Sequence, residues 1–325
     1  MMLAFASTDR HGIGFACVRH RDKMARIPRA IRHGCRIALG LAGLVSWFTV
    51  PLSAEANPPN VVLIMADDLG WRDLGYHGSE IETPHIDRMA DTGLALERFY
   101  VQPSCSPTRA AVMTGKSAAR LGVFRPISKV EPKGLPLDVT LLPEIFSESG
   151  YQAVMAGKWH LGHVEKRYFP HARGFEEFYG HVTGGIGYWD HNHGGGHDWQ
   201  RNGKTLREEG YATHLIVDEA LKQIEDRDPH RPLFLFVSFN SPHLPNEAPT
   251  DRIDSYSETM DPHRRIHAAM VSELDAGVGR ILAALDSEGI RDETIVWFFS
   301  DNGGLNPSAS PAGLNRWVDR LVDFF

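Results

Sequence analysis

The stretch Cys105-Ser106-Pro107-Thr108-Arg109 joins a reactive side chain, a helix start and a fixed cation. Pro107 suits the first position of a helix with Ser106 as its cap. Ala110 to Met113 extend that helix to a stop at Gly115. Cys105 then lies at the positive end of a helix dipole, where an anion or oxyanion is favoured. Arg109, four residues on, projects along the same face. An isolated cysteine is by default a small buried hydrophobe, so the weight falls on groups elsewhere in the chain. Asp67 and Asp68 directly follow the apolar run Val61 to Met65, and Asp301-Asn302 follows Thr294 to Phe299. A solvated turn is the plain alternative for the first pair. Adjacent like charges beside a buried strand are costly without a cation, however, and an all-oxygen set suits calcium or magnesium better than zinc. Lys158 and His160 follow the run Tyr151 to Ala156, two apart, so in extended chain they point the same way. His243 comes shortly after Leu233 to Phe239, in Asn240-Ser241-Pro242-His243.

The elements that must position these groups alternate along the chain. The short continuous apolar runs read as buried parallel strands, and Leu94 to Val101 reads as one more strand. Helices are expected from Pro84, with Thr83 as cap and Gly93 as stop, and over Leu141–Ser149 and Tyr211–Asp226. A long helix is expected over Arg264–Ser287, packing through Ile266, Met270, Leu274, Val278, Ile281 and Leu285. Strand–helix alternation predicts an α/β fold with a mostly parallel sheet. Residues 180–203 are rich in glycine and carry His181, His191, His193 and His197. That histidine spacing matches no common zinc pattern, so a substrate-facing loop is the better reading. Thr114-Gly115-Lys116-Ser117 is not a P-loop, because the first glycine would have to stand where Ala110 does.

C-S-P-T-R resembles the active-site motif of the sulfatase family, and four other stretches resemble that family's motifs in its order. They are Asn60 to Gly70, Gly157-Lys158-Trp159-His160-Leu161-Gly162, Asn240 to His243 and Ser300-Asp301-Asn302-Gly303-Gly304. The likeness spans residues 60–304. Tyr188 to His191 and Trp199 to Gly203 are similar to arylsulfatase B-type enzymes. The resemblance implies an alkaline-phosphatase-like α/β architecture with helices on both faces of the sheet. It implies that Cys105 is oxidised by a formylglycine-generating enzyme to an aldehyde whose hydrate attacks sulfur and later expels sulfate. Asp67, Asp68, Asp301 and Asn302 would hold one divalent cation, calcium by resemblance, with magnesium as the alternative. Arg109 and Lys158 would position the hydrate and the sulfate. His243 would bind substrate and protonate the leaving oxygen, and His160 would act as the base. The implied substrate is a sulfated small molecule or glycan. A phosphatase or phosphodiesterase of the same fold is the nearest rival, but it would normally use Ser or Thr with two metals. An inactive fragment is the other alternative.

Formal net charge is −7. Residues 1–56 hold 8 basic and 3 acidic residues, leaving 26 against 38, or −12, in the remainder. That acidity argues against a nucleic-acid partner. Arg26, Arg29, Arg32 and Arg36, then Ile37 to Val50 and Ala54-Glu55-Ala56, predict a signal peptide over 24–56. The apolar part is too short to span a membrane, so an exported protein, periplasmic or extracellular, is expected without an anchor. Residues 1–23 carry no pattern, and Met24 is the natural start. Cys17 and Cys35 precede the expected cleavage site, which leaves Cys105 as the mature protein's single cysteine. The resemblance makes 57–315 the N-terminal part of a sulfatase catalytic domain. Family members continue beyond D-N-G-G through a second active-site lysine into a smaller subdomain. Here no lysine follows Lys222, and 316–325 reads as an atypical tail. A C-terminally truncated chain lacking that subdomain, with impaired activity, is the expectation.

Overall fold

The structure is a computed structural model that describes residues 2–5 and 57–304. The expected signal peptide at 24–56 and the tail at 316–325 lie outside the described residues. So does the expected start at Met24, although strand β1 (Met2–Phe5) falls in the stretch for which the sequence offered no element.

Four apolar runs do become parallel strands: β2 (Asn60–Ala66), β4 (Gln152–Lys158), β10 (Leu233–Ser238) and β11 (Thr294–Ser300). With β5 (Glu177–His181) they form the parallel centre of the sheet, in the order β11-β2-β10-β4-β5. Antiparallel strands extend both edges. On one side lie β1 and β3 (Leu94–Leu96), and on the other β8 (Gln200–Arg201) and β9 (Lys204–Thr205). Strands β6 (Asn192–His193) and β7 (Gly196–His197) make a separate small ribbon.

The runs are unbroken because both faces are covered. Along β2, Val62, Ile64 and Ala66 enter one core while Leu63 and Met65 enter the other. Along β10, Leu233, Leu235 and Val237 alternate in the same way with Phe234 and Phe236. The first core is completed by α1 (Pro84–Thr92), α4 (Ala212–Glu225) and α6 (Pro262–Ser287). The second receives Met113 of α2 (Cys105–Thr114), and Leu142 and Phe146 of α3 (Leu142–Glu148). A short helix, α5 (Thr250–Asp254), packs on α6. This is the predicted α/β sheet with helices on both faces. Among the described residues no helix is long and apolar enough to cross a membrane.

Three local expectations need correction. Helix α2 begins at Cys105, with Ser104 at the cap position, rather than at Pro107 behind Ser106. The Ser106 hydroxyl is engaged elsewhere: it donates to the His160 carbonyl at 2.9 Å and accepts from the Ile127 amide at 3.0 Å. The strand expected over Leu94–Val101 stops at Leu96, and its three residues are largely exposed, so no sheet face rewards extension further. Finally, His160 does not continue β4 in extended form; its φ is +57°. The chain turns there because the Trp159 and His160 amides bond to the carbonyls of His181 and Val182.

Candidate active site

Parallel strands end on one side of a sheet, and the register makes five of them end together. Ser300 pairs with Ala66, Ser238 with both Met65 and Gly157, and Lys158 with His181. The residues that follow therefore meet: Asp67 and Asp68 after β2, Asn240 to His243 after β10, and Asp301 and Asn302 after β11. Helix α2 brings Cys105 and Arg109 to the same place. Oxygens of Asp67 and Asp301 and the Cys105 sulfur all lie within 4.8 Å of one another.

Two buried cations tie the carboxylates. The Lys158 ammonium donates to Asp67 Oδ2 at 2.5 Å. Arg109 donates from Nη2 to Asp301 Oδ2 at 2.9 Å, and from Nη1 to the Lys158 carbonyl (2.9 Å) and the Ser238 hydroxyl (2.5 Å). Arg109 Nη2 is also 3.6 Å from Asp67 Oδ1. Lys158 and Arg109 are 0% and 1% exposed. Burial alone would lower their pKa values, but the carboxylates outweigh it, and both stay charged. Asp301 is pushed up to about 7 by burial and by the charge of Asp67, against the pull of Arg109 and Lys158. The Cys105 thiol is driven up to about 12, chiefly by burial. As a free thiol it is therefore protonated at neutral pH and a poor nucleophile.

The oxygens left over fit a cation. Asp67 Oδ1, Asp68 Oδ2 and Asn302 Oδ1 are buried and lack a hydrogen-bond donor. Asp68, with φ of +64°, turns back so that its amide reaches Asp301 Oδ1 (3.2 Å) and its Oδ1 accepts from Asn302 Nδ2 (2.6 Å). Three carboxylates face two cations here, and three buried acceptors stand without donors. Such a donor set matches a hard divalent ion.

The two histidines differ. His160 is buried, and its ring Nε2 lies 3.1 Å from the Ile127 carbonyl while Nδ1 has no partner. Burial, then Lys158 and Arg109, depress its pKa well below the ordinary value, so it is neutral, with Nε2 protonated and Nδ1 able to accept. His243 is partly exposed; Nδ1 donates to the Leu244 carbonyl (2.7 Å), and Nε2 stands 3.6 Å from Asp68 Oδ2. Between them runs the glycine-rich segment. A Cβ on Gly184 would sit 2.6 Å from His160 Nε2, and one on Gly185 3.0 Å from His243 Cε1. The four histidines of that segment form no metal cluster among the described residues; His191 and His197 bond to the carbonyls of Gly210 and Leu206.

All nine residues singled out from the sequence are thus brought to one end of the sheet. Sequence reasoning missed Ser238, whose hydroxyl receives Arg109, and gave Asn240 no role beyond its motif, although its buried amide has no partner. His181, read from the sequence as part of a substrate-facing loop, instead ends β5, fully buried opposite Lys158 with both ring nitrogens unpartnered. The usable signal for Ser238 was a hydroxyl closing an otherwise apolar run, at a strand end.

The family model described as Sulfatase matches residues 59–317. The chain is 37% identical to mouse (Mus musculus) arylsulfatase J over 274 residues, covering 82% of this chain and 45% of that protein. It is 34% identical to human (Homo sapiens) N-acetylgalactosamine-6-sulfatase over 283 residues, covering 80% and 53%. Among solved structures, Ps i-CgsB in complex with k-i-k-neocarrahexaose superposes with a TM-score of 0.72 at 31% identity, covering 77% of this chain and 59% of that one. The chain spans about half the length of the curated relatives it matches.

Proposed function

The chain belongs to the sulfatase family, and on that premise we propose that it hydrolyses sulfate esters, of an aryl alcohol or a glycan, at the Cys105 site. The observation that carries the reading is the convergence of three donorless buried oxygens, two buried cations and Cys105 at one sheet end. Asp67, Asp68, Asp301 and Asn302 would hold one divalent cation, calcium in the first instance and magnesium as the alternative. When present, the cation would draw charge from the sulfate oxygens, and formylglycine at position 105, made by a formylglycine-generating enzyme, would supply as its hydrate the attacking hydroxyl.

The remaining groups divide the work by geometry. Arg109 is held by three hydrogen-bond partners, so it presents a fixed charge to the sulfate without reorganising. Lys158 offers a second buried charge beside Asp67. His160 can take a proton at Nδ1, since Nε2–H is committed to Ile127. His243 exchanges a proton with the leaving oxygen through Nε2, because Nδ1–H is committed to Leu244. Burial pushes the Cys105 thiol up to about 12, so unmodified Cys105 is unsuited to the nucleophile's role. Export through a signal peptide at 24–56, with release to the periplasm or outside the cell, belongs to the same reading.

The test is hydrolysis of an aryl sulfate and an aryl phosphate side by side, with and without chelator, together with the mass of the Cys105 peptide. Sulfate turnover that needs the cation and formylglycine, and that Cys105→Ala abolishes, is expected. Faster phosphate hydrolysis, or full activity with Cys105 still a thiol, refutes the reading.

A further inference from the structure

The alcohol released from the sulfate must lie beside His243, because a group that protonates the leaving oxygen has to touch it. A cavity begins there and a second adjoins it. The first, of about 500 Å³, is lined by His243, His193, Asp190 and Glu247 among others. The second, of about 340 Å³, shares Asp190 and Asn192 with the first and runs on to Arg207, Glu208 and Glu209. Small residues keep this path open: a Cβ on Gly187 would come 2.2 Å from Asp190 Oδ1.

The polar groups of this groove are fixed acceptors. Asp190 receives the backbone and side-chain N–H groups of Asn192 at 2.9 and 3.0 Å. Glu247 receives the Tyr188 amide at 2.7 Å. Glu208 Oε1 receives both the Tyr179 hydroxyl (2.5 Å) and the Trp199 indole (2.6 Å). Each carboxylate is oriented by the protein and keeps lone pairs to spare, and a carboxylate can only accept. Four carboxylates, Asp190, Glu208, Glu209 and Glu247, line the two cavities against one guanidinium, Arg207, and the Lys129 ammonium lies against Gly194. The groove is therefore negative overall and rich in placed acceptors. Hydroxyl donors are satisfied there by charge-assisted hydrogen bonds, whereas a second anion is repelled.

We propose that this groove binds the leaving-group side of a sulfated saccharide as a chain of uncharged, hydroxyl-bearing rings, and that it discriminates against uronate or further sulfate at those positions. The proposal rests on the sulfatase reading for the place of the leaving oxygen.

The probes are galactose monosulfate, a tetrasaccharide in which the same sulfated ring carries three unsulfated galactoses, and the equivalent tetrasaccharide with galacturonate as its second ring. Binding to the full chain is measured by calorimetry with calcium present. The tetrasaccharide with three unsulfated galactoses is expected to bind about tenfold tighter than the monosaccharide, with the gain lost in the uronate analogue. Glu208→Gln and Glu247→Gln are expected to shrink the gain. Equal affinity for one ring and four, or tighter binding of the uronate, overturns the proposal. Aryl sulfate hydrolysis run in parallel separates the two readings. Cleavage without any gain from added rings sinks the groove alone. Tight binding of the galactose tetrasaccharide without cleavage of any sulfate ester sinks the sulfatase reading and leaves the groove standing.

Discussion

Calcium should stabilise this fold through the three donorless oxygens, and the size of the effect can be worked out. Asp67 Oδ1, Asp68 Oδ2 and Asn302 Oδ1 are buried without partners. Each such group costs about 1–3 kcal/mol. A cation that coordinates them removes that cost, and it binds only the folded chain, since Asp68 and Asn302 are 234 residues apart. At 100 times the dissociation constant the gain is about 2.7 kcal/mol. For a domain of about 250 residues this raises Tm by roughly 5–10 °C. The assay is thermal unfolding followed by circular dichroism in calcium and in EDTA. Asp68→Asn keeps the volume and removes one charge, and should reduce the shift to about 2 °C or less. An unchanged Tm between calcium and EDTA, or a full shift retained in Asp68→Asn, refutes the shared site.

Asp73, outside the proposed ligand set, provides a pH-dependent test. Burial alone would raise its carboxyl, but His267 (3.1 Å) and Arg264 (2.6 Å) outweigh burial and hold it at about 2. A depressed carboxylate stabilises the fold above its unfolded value near 4, and that stability is lost as pH falls through about 2. Urea unfolding should show Asp73→Asn costing about 2 kcal/mol at neutral pH and about half of that near pH 3; an equal cost at both refutes the linkage. Gly157→Ala should lower stability by about 3 kcal/mol or more or yield insoluble protein, because φ there is +111° and a Cβ would lie 1.9 Å from the Ser238 carbonyl oxygen. A soluble variant with near-normal Tm would show that β4 and β10 can part at that point.

The strands that carry the site could be read directly, because a two-sided sheet demands unbroken apolar runs and the polar motifs begin where those runs stop. The long helix α6 was equally plain, its stripe from Ile266 to Leu285 matching the face turned to the core. What was not legible depended on partners distant in sequence. Ser106 looked like a cap, but its hydroxyl is claimed by His160 and Ile127. His160 looked extended, but the neighbouring strand's carbonyls draw the backbone into a turn. The pairing of Arg109 with Asp301 and of Lys158 with Asp67 is written in no local spacing. It arises only when β4, β2 and β11 have joined one sheet and α2 packs against it.

Among the described residues strand β2 pairs with β10 and β11 alone, so it finds its first neighbour after about 170 further residues have been made. At 5–20 residues per second, ribosomal synthesis leaves Val61 to Met65 without a partner for roughly 10–35 s. During that interval the nascent chain shows a bare, flat, apolar edge of the kind that recruits other chains. The order of strands thus sets how long this run stays uncovered: until Leu233 to Ser238 emerge, when β2 can be paired.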